Sequence, residues 1–426
     1  MLQRTAELRE SSSPLVKVRR IGFSRYGDPI DLISIGRGMR NALLVGTPHP
    51  NEPIGCLTIE FLIEHLQQDP SLAGELDFTW HFIKTIEPDG LRLNEGWLKR
   101  VHDPATYLHH YFRPAFDEQA EYTFPLSLPH HEFDKSTPEN LAWQEAIQLV
   151  RPDLMVSLHN AEHGGGFYIL SRDVGTLAAQ LAAQLAQHSV PVDLVGDMGA
   201  ELRQLAPGVF QTSSVAQTLA ASGGRIPWSA GDMSFGHTES LGTLGLIIEV
   251  PYWIEVDTRS AAHEPDVALS DALKPALAWS DDVGSLLERH RQVFQGPCVG
   301  KEERFARAID ECRKVVTAYH KLFGLLPATP LSASVAAAQQ RVMRLQLLRP
   351  VAMLARLATL IEQRVDHGEF RDAAVLAQVE ASTYLSIALN EPLLAQGLKP
   401  LPLRSSVQLQ VDAVLTAARA LQDNKI

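Results

Sequence analysis

The sequence predicts an α/β protein, a sheet covered by helices on both faces, followed by an all-α region. Three observations lead there. Over residues 1–295, short apolar runs that stop at glycine or proline alternate with segments whose apolar residues recur at helical spacing. From about Lys301 the strand-like runs cease and amphipathic patterns rich in Ala, Leu, Gln and Arg take over. At 426 residues the chain is also long for one ordinary core. The expected division is residues 1–298 as one domain and 299–426 as a helical one.

The elements follow in order. Asn41 to Gly46 reads as a buried strand, followed after Thr47-Pro-His-Pro-Asn-Glu-Pro by a helix from Ile54 to Leu66. Phe78-Thr-Trp-His-Phe-Ile is a second strand, closed by Pro88-Asp-Gly as a turn. Thr137-Pro138, an N-cap followed by proline at the first helical position, opens a helix to Val150. Asp153 to His159, Gly166 to Leu170 and Gly245 to Val250 are further strands, with an alanine-rich helix from Val174 to His188. Five helices are expected beyond: Glu302–Leu326, Ser332–Leu348, Pro350–Val365, Arg371–Leu389 and Ser405–Leu421, their charges read as solvated faces.

A net charge of -12 argues against a general nucleic-acid binder, which needs a basic surface. No segment has the length and apolarity of a membrane span, and the N-terminus lacks the pattern of a secretory signal. Three cysteines, Cys56, Cys298 and Cys312, make no CxxC pair, which disfavours disulfide stapling and fits a reduced, cytoplasmic setting.

Polar residues directly after buried strands gather at one edge of an α/β sheet, where ligands bind. Four segments have this form: Pro48-His49-Pro50-Asn51-Glu52, Glu87-Pro88-Asp89-Gly90, Ser157-Leu158-His159-Asn160, and Ile248-Glu249-Val250-Pro251. His49 and Glu52, three apart across a turn, can reach one metal, and His159 supplies a third ligand of the kind a catalytic zinc uses. Glu249 ends an apolar strand, where a carboxylate is costly unless it has a task. Singly, HxxE is a weak signal, His159 reads as an interior histidine, Glu249 as an ion-pair partner and Pro-Asp-Gly as a turn; their order and shared placement carry the weight.

That order, with the opening segment Ile21 to Ile30, resembles the zinc carboxypeptidase family M14 over roughly residues 20–255. The resemblance implies a mixed eight-stranded sheet flanked by helices. It also implies one Zn²⁺ per chain held by His49, Glu52 and His159, with Glu249 as general base and acid. A cationic donor for the oxyanion is expected just after the Pro-Asp-Gly segment, at Arg92 in preference to Arg100. Typical members carry an Asn-Arg pair for the substrate carboxylate, but none occurs between Gly90 and His159. Arg113 is the nearest substitute, and Asn94, Arg100, His237 and Tyr252 are further candidate substrate contacts. The leading expectation is a metallocarboxypeptidase acting on a peptide or small peptide-like molecule. The alternatives are an aspartoacylase-like amidohydrolase of N-acyl amino acids and an inactive peptide-binding scaffold. The helical domain is compatible with homo-oligomerisation, with covering the active-site cleft and with docking a protein substrate, and its sequence does not choose among these.

Overall fold

The computed structural model describes residues 2–10, 15–69, 75–100, 103–129, 131–196, 202–212, 214–215, 217, 231–255, 267–323, 330–395 and 398–423. Its main sheet has nine strands: β1 Val16–Phe23, β2 Pro29–Ile35, β3 Arg40–Gly46, β4 Phe78–Ile83, β5 Leu154–His159, β6 Phe167–Leu170, β7 Leu202–Ala206, β8 Val209–Thr212 and β9 Leu244–Glu249. They lie in the order β1-β2-β4-β3-β5-β9-β6-β8-β7. The centre is parallel: β4 with β3, β3 with β5, and β5 with β9. β1, β2, β7 and β8 stand at the two sides and pair partly antiparallel. The count is nine rather than eight, and these flanking strands lack the continuous apolar run that marks a strand buried on both faces.

Side-chain alternation explains how the central strands serve two cores at once. On one face Ala42, Leu44, Trp80, Val156, Leu158, Leu246 and Ile248 pack in one cluster with helices α2 Ile54–Gln68 and α6 Leu177–Gln187. On the other face Leu43, Val45, Ile83, Met155, Ile169 and Ile247 meet Ala142, Trp143, Ala146 and Ile147 of α5 Pro138–Val150. The other principal helices are α1 Leu2–Glu10, α3 Pro88–Leu98, α4 Pro104–His109, α7 Ser234–Thr238, α8 Lys274–Arg289, α9 Lys301–Phe323, α10 Ala333–Arg364, α11 Glu369–Leu389 and α12 Leu403–Asp423. α5 starts as expected, with the Thr137 side chain accepting from Asn140 N and Pro138 in the first turn. Among the described residues no helix is long and apolar enough to cross a membrane.

Two expectations are corrected. Pro88-Asp-Gly opens α3 rather than forming a free turn, because proline suits a first helical turn, whose N–H groups have no intrahelical partner. The two helices expected on either side of Pro350 are one 32-residue helix, α10. Proline in a helix interior costs roughly 3 kcal/mol. Burial of Leu347, Leu348, Val351, Ala352 and Leu354 around it offsets that cost, since packing rather than propensity supplies most helix stability. The packing forms two cores to which distant parts of the chain contribute. α8 joins α9, α10 and α11 in a second core, whereas Leu409, Val414, Ala417 and Leu421 of α12 lie in the core beneath the sheet.

α12 is therefore structural to the sheet. Thr58 of α2 donates to Gln410 Oε1 (2.6 Å), and Gln410 Nε2 donates to the main-chain oxygen of His159 (3.0 Å). Leu409 is fully buried. Leu409→Ala is expected to destabilise the protein by about 2–5 kcal/mol in a urea titration; an unchanged midpoint would mean that α12 is not part of the core.

Candidate metal centre and active site

The three parallel strands β3, β5 and β9 end in register, so the residues that follow them meet. β3 stops at Gly46, opposite Leu158, and Glu249 pairs directly with His159. Thr47, next in the chain, has φ +54°, an uncommon conformation for a β-branched residue. Its hydroxyl lies 2.8 Å from Cys56 Sγ, which helps hold the turn. The turn carries His49 and Glu52, closed by a hydrogen bond from Glu52 N to His49 O (2.9 Å). α2 then starts at Ile54, whose N–H donates to Asn160 Oδ1 (3.0 Å), tying the turn to the end of β5. Gly55 permits the contact, since a Cβ there would stand 2.6 Å from Leu158 Cβ.

His49, Glu52 and His159 are all buried, and one ligand atom from each lies within 4.8 Å of the others. His159 Nδ1 is 3.0 Å from Glu52 Oε2 and 3.7 Å from Glu249 Oε1. His49 Nδ1 is buried without a hydrogen-bond partner among the described residues, and an orphaned polar atom of this kind calls for an explanation. Two imidazoles and one carboxylate suit zinc and leave a position for water or substrate. The residues therefore fit the metal, and His49, Glu52 and His159 would hold it.

The electrostatics agree. Burial pushes the His49 imidazole well below its usual range, with positive charge at Arg113, His159 and Arg349 acting in the same direction; a neutral ring is the ligating form. For His159 burial acts downward, but the hydrogen bond to Glu52 and the charges of Glu52, Glu249 and Glu121 outweigh it and push it up to about 8. A cation set among these groups would displace that proton.

The other expected residues divide. Arg113 lies at the centre, with Nη1 donating to Glu52 Oε1 (2.9 Å) and Nε to Gln119 Oε1 (3.2 Å). Arg92 does not: it is half exposed and held by Asp28 in a bidentate pair (2.6 and 2.9 Å). Arg100 is exposed beyond the end of α3. Both follow from Pro88-Asp-Gly being helical, which turns the chain along α3 instead of into the site. Asn94 is fully buried. It donates to Gly90 O and Phe112 O and accepts from Trp97 Nε1 and Phe112 N. That uses its amide capacity, so it fixes the main chain before Arg113 instead of facing a substrate. The Tyr252 hydroxyl donates to Asn51 O (2.7 Å), inside the loop between the ligands. The His237 ring packs on Phe124 at 4.8 Å.

Several residues at the site carry no sequence signal of their own. Glu121 is fully buried, and its Oε2 is 4.0 Å from His159 Nε2. Glu162, three residues beyond His159, accepts from the Tyr107 hydroxyl and pairs with Arg349 of α10 at 2.8 Å. Arg349 also lies over the Tyr111 ring. Two further arginines of α10 grip neighbouring segments. Arg341 binds both oxygens of Glu255 at 2.7 Å, and Arg356 donates to the main-chain oxygens of Leu93, His110 and Tyr111. Spacings of eight and seven residues put all three on one face of α10. The solvated-face reading of the C-terminal charges thus fails for these positions, and the spacing was the available signal.

Arg349→Met leaves the buried Glu162 without its cation and is expected to cost about 3–5 kcal/mol in denaturant unfolding. Adding Glu162→Gln should recover much of that loss; a single variant as stable as the parent would contradict the pairing.

The zinc carboxypeptidase family matches residues 1–167. No curated protein matches the chain. Among solved structures, a metallo-carboxypeptidase from Burkholderia cenocepacia is similar at 16% identity and a TM-score of 0.36, over 58% of each chain. A metallo-carboxypeptidase from Pseudomonas aeruginosa, in complex with (2-guanidinoethylmercapto)succinic acid, is similar at 17% identity and a TM-score of 0.33, over 58% of this chain and 59% of that one. Carboxypeptidase A from Helicoverpa armigera is similar at 14% identity and a TM-score of 0.34, over 59% and 62%. In each case the likeness spans less than two thirds of the known protein. The family that residues 1–167 match, zinc carboxypeptidase, is one of metallopeptidase hydrolases, and the match takes in all of His49, Glu52 and His159.

Proposed function

We propose that the chain is a zinc-dependent metallocarboxypeptidase that hydrolyses the C-terminal amide bond of a peptide or peptide-like small molecule. The observation that carries this reading is the convergence of His49, Glu52 and His159 with Glu249 beside them on the next parallel strand. On this reading the catalytic unit is the sheet with its covering helices and α12, flanked by the bundle of α8 to α11.

Bound zinc would polarise the scissile carbonyl and make water a stronger acid. Glu249, at the edge of the ligand cluster and 17% exposed, takes the proton from the attacking water and returns it to the leaving amine. Arg113 takes the oxyanion role expected of Arg92, since its guanidinium already borders Glu52 and lies largely buried, where a charge acts strongly. Recognition of a free C-terminal carboxylate is the finer part of the proposal.

Glu249→Gln should leave zinc bound and reduce turnover to background; retained turnover would remove Glu249 as the base. Arg113→Ala should lower kcat by about 10²–10³-fold if the guanidinium stabilises the oxyanion. A variant in which only KM rises would assign Arg113 to ground-state carboxylate binding instead. Mass spectrometry of paired peptides with free and amidated C-termini, alongside N-acyl amino acids, tests the substrate class. Loss of only the terminal residue from free peptides supports an exopeptidase. Equal cleavage of both peptide forms, or turnover of N-acyl amino acids alone, contradicts it.

A further inference from the structure

The groups around His159 are not all used by metal binding and proton transfer. Its Nδ1 faces Glu52 and Glu249, at 3.0 and 3.7 Å. Its Nε2 points away from them, is buried, and has no hydrogen-bond partner among the described residues. On that side stands the carboxylate of Glu121, with Oε2 4.0 Å away.

Glu121 is itself held in place. Oε2 accepts from the Ser157 hydroxyl (2.8 Å), and Oε1 accepts from the Ser234 hydroxyl and from Ser234 N (3.3 Å). Ser157 is two residues before His159 on β5, and Ser234 begins α7. The carboxylate is fully buried, a costly placement for a charge. Three polar contacts and the neighbouring imidazole offset that cost, and they aim the group at His159.

We propose that Glu121 is the positioning residue for His159: it accepts the Nε2–H and so holds the ring with Nδ1 directed at Glu52. This inference rests on the zinc reading above. A ring that offers Nδ1 to a cation must carry its proton on Nε2. In a buried site that N–H is costly without an acceptor. Glu121 Oε2 stands on that side at 4.0 Å, about 1 Å beyond ordinary hydrogen-bond length, and the assignment requires that gap to close when zinc binds. Carboxylates behind metal-binding histidines fix the ring and raise its basicity.

The test is zinc affinity of the full chain, measured by competition with a chromophoric chelator, for the parent and Glu121→Gln. The uncharged amide keeps the size of the group and weakens the contact. The expected result is an affinity about 10–100-fold lower, with an unfolding midpoint of the chelator-treated variant no lower than the parent's. Equal zinc affinity in a folded variant overturns the assignment. Ring ¹⁵N shifts of zinc-loaded parent protein give an independent reading that needs no variant. An Nε2-protonated His159 is expected, and an Nδ1-protonated ring overturns the proposal. A parent that binds no zinc fails the zinc reading itself, whereas tight zinc binding by parent and variant alike fails only the role of Glu121.

Discussion

The site depends on the parallel, in-register pairing of β3, β5 and β9 at the centre of the sheet. Pairing of Gly46 with Leu158 and of Glu249 with His159 sets where each strand stops. A shift of one residue in any of these strands would turn its polar end toward the opposite face. Both faces of the centre are filled with Val, Leu and Ile, so such a shift would also bury the wrong side chains. The hydrophobic core thus fixes the position of the ligands.

Around that frame the charges are nested. Glu52 stands between Arg113 and His159, and Glu121 lies behind His159. Glu162, on the loop after His159, meets Arg349 from far along the chain. Glu52 and Glu162 each have an arginine nearby, the condition under which burial of a charge is tolerated. The C-terminal helices take part: α10 presses arginines onto the segments that border the site, and α12 holds the main chain of His159 through Gln410. This gives the helical region a physical task, the support of the site from behind, that amphipathicity alone does not reveal.

The legible parts of the sequence were those governed by local rules. β4 falls at its expected bounds, and β3, β5 and β9 within a residue or so, because strands buried on both faces are continuous apolar runs. The convergence of His49, Glu52 and His159 was legible because strand ends meet at one edge of a parallel sheet. What failed depended on tertiary packing. Arg92 and Arg113 are both arginines after Pro88-Asp-Gly, and the choice between them rests on α3, which carries Arg92 out to Asp28. Glu121 sits in an acidic stretch without periodicity, and its meaning appears only when β5 and α7 enclose it. The continuity of α10 through Pro350 was hidden because a local breaker was overruled by packing on both sides.

The central claim is that His49, Glu52 and His159 hold one zinc ion. Anomalous X-ray diffraction at the zinc edge, on crystals of protein purified without chelator, tests it most directly. The account predicts a single strong peak among these three side chains, lost in a His159→Ala variant. Zinc-loaded crystals with no peak there, or with a peak that survives the substitution undiminished, would contradict it.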